Sequence, residues 1–171
     1  MKRLVFISFV ALSMAASSAM AQQGDVKFFG NVSATTCDLT PGVAGSVVDT
    51  IQLGTVGTNN SGTGVPFSLK ATNPGAGGCS QLSGKTASVA WGGPLGARGF
   101  ENQGGLATGA YVTVKGINSK VQNQVVNSSR STIDFDAGKL ATDGLKFEAT
   151  LTGGNTAGDF RSAATYAVTY Q

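Results

Sequence analysis

Histidine is absent from the 171 residues, and the only methionines, Met1, Met14 and Met20, fall within the first twenty positions. Charged residues make up 12%, and there is one tryptophan. With no histidine and only 9 acidic residues, general acid–base or nucleophilic machinery has little to be built from. A metal centre is equally short of ligands, because the chain holds two cysteines and no histidine to complete a set of four. Asp134-Phe135-Asp136-Ala137-Gly138 begins like a calcium loop, but Leu145 occupies the twelfth position where a bidentate glutamate is needed. That stretch reads as a strand end and a turn. No enzyme, cofactor or metal is expected.

Long apolar runs are scarce too. The longest, Leu4 to Ala16, is too short to span a bilayer comfortably. It follows Lys2 and Arg3 and precedes Ala19-Met20-Ala21, the order of a secretory signal with its small-x-small cleavage site over residues 1–21. Once Lys2 and Arg3 are removed, the 12 basic residues become 10 against 9 acidic ones. That balance does not favour nucleic acid or an anionic membrane. In an exported chain the pair Cys37 and Cys79 most simply forms one disulfide closing a 43-residue loop. Two unpaired thiols are the alternative.

What is abundant is glycine, 25 residues, set between short segments rich in Val, Phe, Tyr and Thr that alternate apolar with polar. No window after the signal holds a helical period. This pattern predicts a small all-β sandwich. The expected strands are Asp25 to Leu39, Val47 to Leu53, Val65 to Ala71, Thr86 to Trp91, Ala110 to Lys115, Val121 to Val126, Ser131 to Phe135, Leu145 to Leu151 and Phe160 to Tyr170. Turn-forming clusters such as Asn73-Pro74-Gly75 and Gly153-Gly154-Asn155 separate them. Gly92 to Gly109 reads as the largest surface loop.

The two ends are unusual. Phe160, Ser162, Ala164, Tyr166, Val168 and Tyr170 share one parity, and so one face of an extended strand, up to the penultimate residue. Chain ends fray unless something holds them, so so apolar a terminus calls for a partner or a cover. Val26, Phe28, Gly30, Val32 and Ala34 also share a parity, just after the cleavage site. A glycine in mid-strand weakens a free-standing strand but suits close backbone approach.

These features resemble the chaperone–usher fimbrial (pilus) subunits of the type 1 and P-type class. Gly30 stands seven residues before Cys37, Tyr170 is a penultimate aromatic, and Gly158 is fourteenth from the end. Tyr166 to Gln171 is close to the ending of type 1 major pilins, and Thr50-Ile51-Gln52-Leu53-Gly54 resembles the family's second-strand motif. Cys79 falls where the second half of the family disulfide is expected. Ser88-Val89-Ala90-Trp91 with Gly99-Phe100 is most like major subunits of enterotoxigenic animal fimbriae that bind sialoglycolipids.

The resemblance implies an incomplete immunoglobulin-like sandwich lacking its seventh strand, over residues 35–171, with residues 22–34 as a donor extension. A periplasmic chaperone would fill the groove beside Phe160 to Tyr170 and grip the terminal carboxylate of Gln171. At an outer-membrane usher, the extension of the next subunit would replace the chaperone's strand, a known form of strand addition. Val26, Phe28, Gly30, Val32 and Ala34 form the implied donor strand, and Gly158, Phe160, Ala164, Tyr166, Val168, Tyr170 and Gln171 the implied acceptor and chaperone strand. A single domain with its own donor strand fits a shaft subunit of an extracellular fimbrium supporting adhesion. As an alternative, the shaft subunit itself contacts host glycans, with Trp91, Arg98, Phe100, Lys120 and Arg130 as candidates, although Trp91 reads more readily as core and the charged residues as solvated.

Overall fold

A computed structural model describes residues 37–171. The expected signal and donor segments, residues 1–21 and 22–34, lie outside the described residues. Nine strands form two antiparallel sheets: β1 (Leu39–Val43), β2 (Ser46–Val47), β3 (Val65–Ala71), β4 (Thr86–Gly92), β5 (Phe100–Glu101), β6 (Tyr111–Gly116), β7 (Thr132–Asp136), β8 (Leu145–Thr152) and β9 (Thr165–Tyr170). One sheet runs β2-β1-β3-β8-β6-β5 and the other β7-β4-β9. The only helical pieces among the described residues are one turn, α1 (Gly77–Ser80), and a 3-10 segment (Ala137–Ala141). The all-β expectation holds, in an immunoglobulin-like sandwich.

Side-chain alternation explains why these segments pair face to face. Along β8, Leu145, Phe147, Ala149 and Leu151 are buried while the residues between them are not. Ile133 and Phe135 of β7 and Val112 and Val114 of β6 turn inward in the same way. The inward residues meet in an aromatic knot. Phe147 stacks on Phe67 at 5.2 Å between centroids and meets Trp91 edge-on at 5.3 Å. Trp91 also contacts Phe100 and Tyr166. Side chains of this size contribute about 1.5–3 kcal/mol each when fully buried.

Three expected strands differ. Of Val47 to Leu53 only Val47 is in a strand, β2. The β1–β2 hairpin turns on Ala44 and Gly45, both at positive φ (50° and 87°), and β1 lies between β2 and β3. Val48 still donates to the Pro41 carbonyl, but Asp49 to Leu53 leave the ladder. Val121 to Val126 is a loop rather than a strand, reversed by Asn123 at φ 58°. Ser119 Oγ–H has the carbonyls of Gly116 and Val121 within reach at 3.2 and 2.6 Å. Phe160 to Tyr170 becomes a strand only at Thr165. Its first residues follow the 102–107 loop instead, where Gln103 N–H donates to Arg161 O and Ala107 N–H to Asp159 O. Within Gly92 to Gly109 lies the short strand β5, whose Phe100 is core, so that stretch is not wholly a surface loop.

The two ends of the sandwich matter below. At one end stand Cys37, Thr86, Asp136 and Tyr170, and here Cys37 is joined to Cys79 by a disulfide. At the other end stand Gly92, Tyr111, Thr152 and Thr165, as the strand registers require. The cross-link closes a loop of 42 residues in separation, which in the chain-entropy view stabilises the fold by about 4 kcal/mol. Cys79→Ala should therefore lower the unfolding free energy by about that amount, read as an earlier urea midpoint. A midpoint unmoved by the substitution would contradict this role.

Candidate functional site

Strand β9 pairs with β4 from Thr165–Gly92 to Tyr170–Ala87. Beyond it, Gln171 and Thr86 exchange both backbone hydrogen bonds, at 2.7 and 3.0 Å. Antiparallel ladders alternate, so Thr169 and Ala167 also bond towards β4, and the N–H and C=O groups of Val168 and Tyr170 face the other way. Among the described residues no strand lies on that side, because β9 is the edge of its sheet. An edge this apolar is normally blunted by charge, proline or a cover, and β9 itself carries neither charge nor proline.

Beside this edge the sandwich is open. A groove of about 440 Å³ lies between Pro41 and Val48–Leu53 on one side and Phe160–Tyr166 on the other, with Phe67, Leu69, Trp91, Phe100, Val112 and Val114 as its floor. The floor is core: all of these side chains come from the inner face of the larger sheet except Trp91, which β4 of the smaller sheet supplies. Ile51, Leu53 and Phe160 pack against that core while only partly buried. Trp91 Nε1–H is buried there and has no acceptor among the described residues.

At the disulfide end two phenols tie the sheets together. Tyr166 Oη–H donates to Leu39 O and Tyr170 Oη–H to Cys37 O, each at 3.2 Å. Burial raises the pKa of both. For Tyr170, with Asp38 and Tyr166 adding to the effect, it is pushed up to about 12.

The residues implied as the acceptor strand have distinct places. Phe160, Ala164 and Tyr166 line the groove. Val168 is core at 2% exposure, Tyr170 closes the disulfide end, and Gln171 is exposed with its side chain 3.4 Å from Ser88 Oγ. Gly158 sits apart, pressed against the 106–107 backbone. A Cβ there would come within 2.6 Å of Leu106 Cβ and 2.8 Å of Ala107 N, so no larger residue fits. The donor residues Val26, Phe28, Gly30, Val32 and Ala34 lie outside the described residues.

The five glycan candidates do not form one site. Trp91 and Phe100 are core, at 8% and 2% exposure, because their parity on β4 and β5 turns them inward, and neither stands on a surface loop. Lys120 Nζ bonds Thr86 Oγ1 at the disulfide end. Arg130 is exposed in the turn made by Asn127. Arg98 lies over the Tyr111 ring, 4.1 Å from its centroid, beside a polar cleft on the opposite face of β5 and β6 from the groove.

Two contributors escaped the sequence reading. The irregular Val48–Leu53 wall was expected to be a strand. Asn102 brackets the groove's other wall, accepting from Arg161 N–H and Gly105 N–H and donating to Gly105 O and Ala107 O. Its place in a glycine-rich stretch gave no signal beyond a loop.

The chain is 62% identical over its full 171 residues, and over the whole of the relative, to the F107 fimbrial protein of Escherichia coli. It belongs to that fimbrial protein family. The K99 fimbrial protein of Escherichia coli is similar at 29% identity, covering 99% of this chain and 98% of that relative. No protein-family model matches the chain. The chain is thus a structural, non-enzymatic fimbrial subunit, assembled with other subunits into a fimbrium at the bacterial surface.

The tyrosine bridges carry a pH dependence. A phenol whose folded pKa is raised keeps its proton longer when folded, so its stabilisation is complete below the unfolded value near 10 and fades as pH rises towards 12. Stability should therefore fall between pH 10 and 12, and fall less steeply in Tyr170→Phe. Denaturation midpoints of the two proteins across that range check this. Parallel slopes would remove Tyr170 from the account.

Proposed function

We propose that this chain is a shaft subunit of a chaperone–usher fimbria, joined to its neighbour when residues 22–34 of another copy fill the groove beside β9. The observation that carries this reading is the coincidence of two unmet needs in one place. The backbone of Val168 and Tyr170 faces an edge with no described strand partner, and an apolar groove opens next to that edge onto the core. One extended segment with alternating apolar residues would satisfy both.

Val26, Phe28 and Val32 have that pattern. Burying each would contribute about 1.5–3 kcal/mol, and each added ladder hydrogen bond a net of roughly 0.5–1.5 kcal/mol. Gly30 fits a point where the inserted backbone comes close to the groove floor. Donor and acceptor surfaces differ, so the contact is heterologous and propagates into an open filament instead of closing a dimer. During export the same open edge would need temporary cover, which is the chaperone's part, and the usher would be the place of exchange. The relatives' identity as fimbrial proteins supports the reading at the level of assembly.

Gly30→Leu should abolish surface fibres while leaving the folded subunit detectable in the periplasm, because the added side chain overlaps the groove floor. Electron microscopy of cells with immunoblotting of periplasmic extracts checks this. Normal fibres built from the Gly30→Leu subunit would overturn the reading.

A further inference from the structure

Resting on the donor-strand reading above, we infer that successive subunits also meet through a direct end-to-end contact. In it, the 117–121 loop of one subunit seats on the 104–107 loop of the next. Ala34 closes the donor pattern and Cys37 opens the described domain, so the donor's own domain is tethered within about 11 Å of the end of its inserted strand. Two domains joined so closely must touch.

Which surfaces touch follows from direction. Cys37 lies at the disulfide end, bonded to Tyr170 Oη–H, and β9 runs from Thr165 at the far end to Tyr170 at that same end. A donor inserted parallel to β9 would bring its domain to the acceptor's disulfide end. There the acceptor's own chain departs to its next neighbour, so one end would have to hold two contacts. Antiparallel insertion uses each end once: the donor's disulfide end abuts the acceptor's far end.

The exposed apolar residues match that arrangement. The described chain leaves four large apolar residues exposed. Ile117 and Val121, 37% and 63% exposed, stand at the disulfide end, in the loop whose Lys120 N–H donates to Asp134 O. Leu106, 74% exposed, stands at the far end, where its N–H reaches Asp159 Oδ1 at 3.2 Å. Val47, the fourth, is on the sheet edge and takes no part. The Leu106 loop is held firmly by Asn102 and by the close approach of Gly158. It therefore offers a fixed apolar knob to the neighbour's Ile117 and Val121.

The test is disulfide cross-linking in assembled fibres. Leu106 and Val121 are exposed, so cysteine at either position should leave folding intact. Fibres of the double variant Leu106→Cys/Val121→Cys, oxidised and run without reductant, should shift from monomer to a covalent ladder. Fibres of either single variant and of Val47→Cys/Val121→Cys should stay monomeric. A second pair, Ala34→Cys with Ala164→Cys, reports the inserted strand itself. A ladder from that pair with none from Leu106→Cys/Val121→Cys overturns the end contact and leaves the donor strand standing. Intact fibres with no ladder from either pair overturn both, and a ladder from Leu106→Cys alone overturns the pairing of unlike ends.

Discussion

Strand β9 builds core with its side chains while, among the described residues, its backbone pairs with one neighbour, β4. Val168 is buried in the aromatic core, and Tyr166 and Tyr170 fasten the smaller sheet to residues 37–39 of the larger one. Among the described residues β9 is nevertheless an edge, with β4 on one side and a groove opening beside it. An ordinary sandwich would cover that opening with one more strand. Here the groove reaches down to the buried floor on which the fold depends.

Several features make sense as supports for a domain with such a gap. The Cys37–Cys79 disulfide removes chain entropy at the end where the larger sheet begins. The phenol hydrogen bonds span the two sheets at that same end. On the far side, the Asn102 bracket and the fit of Gly158 hold the Phe160–Ala164 wall in place without a strand ladder. These contacts keep the groove's walls apart and pre-formed. A pre-formed groove lowers the ordering cost of whatever extended segment enters it.

Much of this was legible in the sequence, for identifiable reasons. Strands β3, β6, β7 and β8 announce themselves by alternation, since each has one face on the core, and β4 by its apolar run from Ala87 to Trp91. The last strand was legible for the same reason: the parity that puts Tyr166, Val168 and Tyr170 on one face is the parity of the β9 side chains that are buried or half-buried. The reading failed where backbone pairing, not side-chain burial, decides structure. Val48 to Leu53 carries apolar residues that do face the groove, but beyond the Val48–Pro41 hydrogen bond no described strand pairs its backbone, so it is a wall and not a strand. Ser162 and Ala164 keep the parity of β9, yet their segment hydrogen-bonds to the 102–107 loop. Trp91, the end of an expected strand, reads more readily as core than as a glycan contact, and it is core; Phe100, beside Gly99 in an expected loop, is turned into the core by the register of β5. No local pattern predicts that Asn102 holds a distant segment.

Amide hydrogen exchange at Val168 and Tyr170 tests the central claim most directly. It should be compared between assembled fibres and unassembled subunits lacking residues 22–34. The account predicts that both amides exchange readily in the truncated subunit and become strongly protected in the fibre, because an incoming strand takes up the free side of β9. Equal exchange in the two states, with fibres intact, would contradict it.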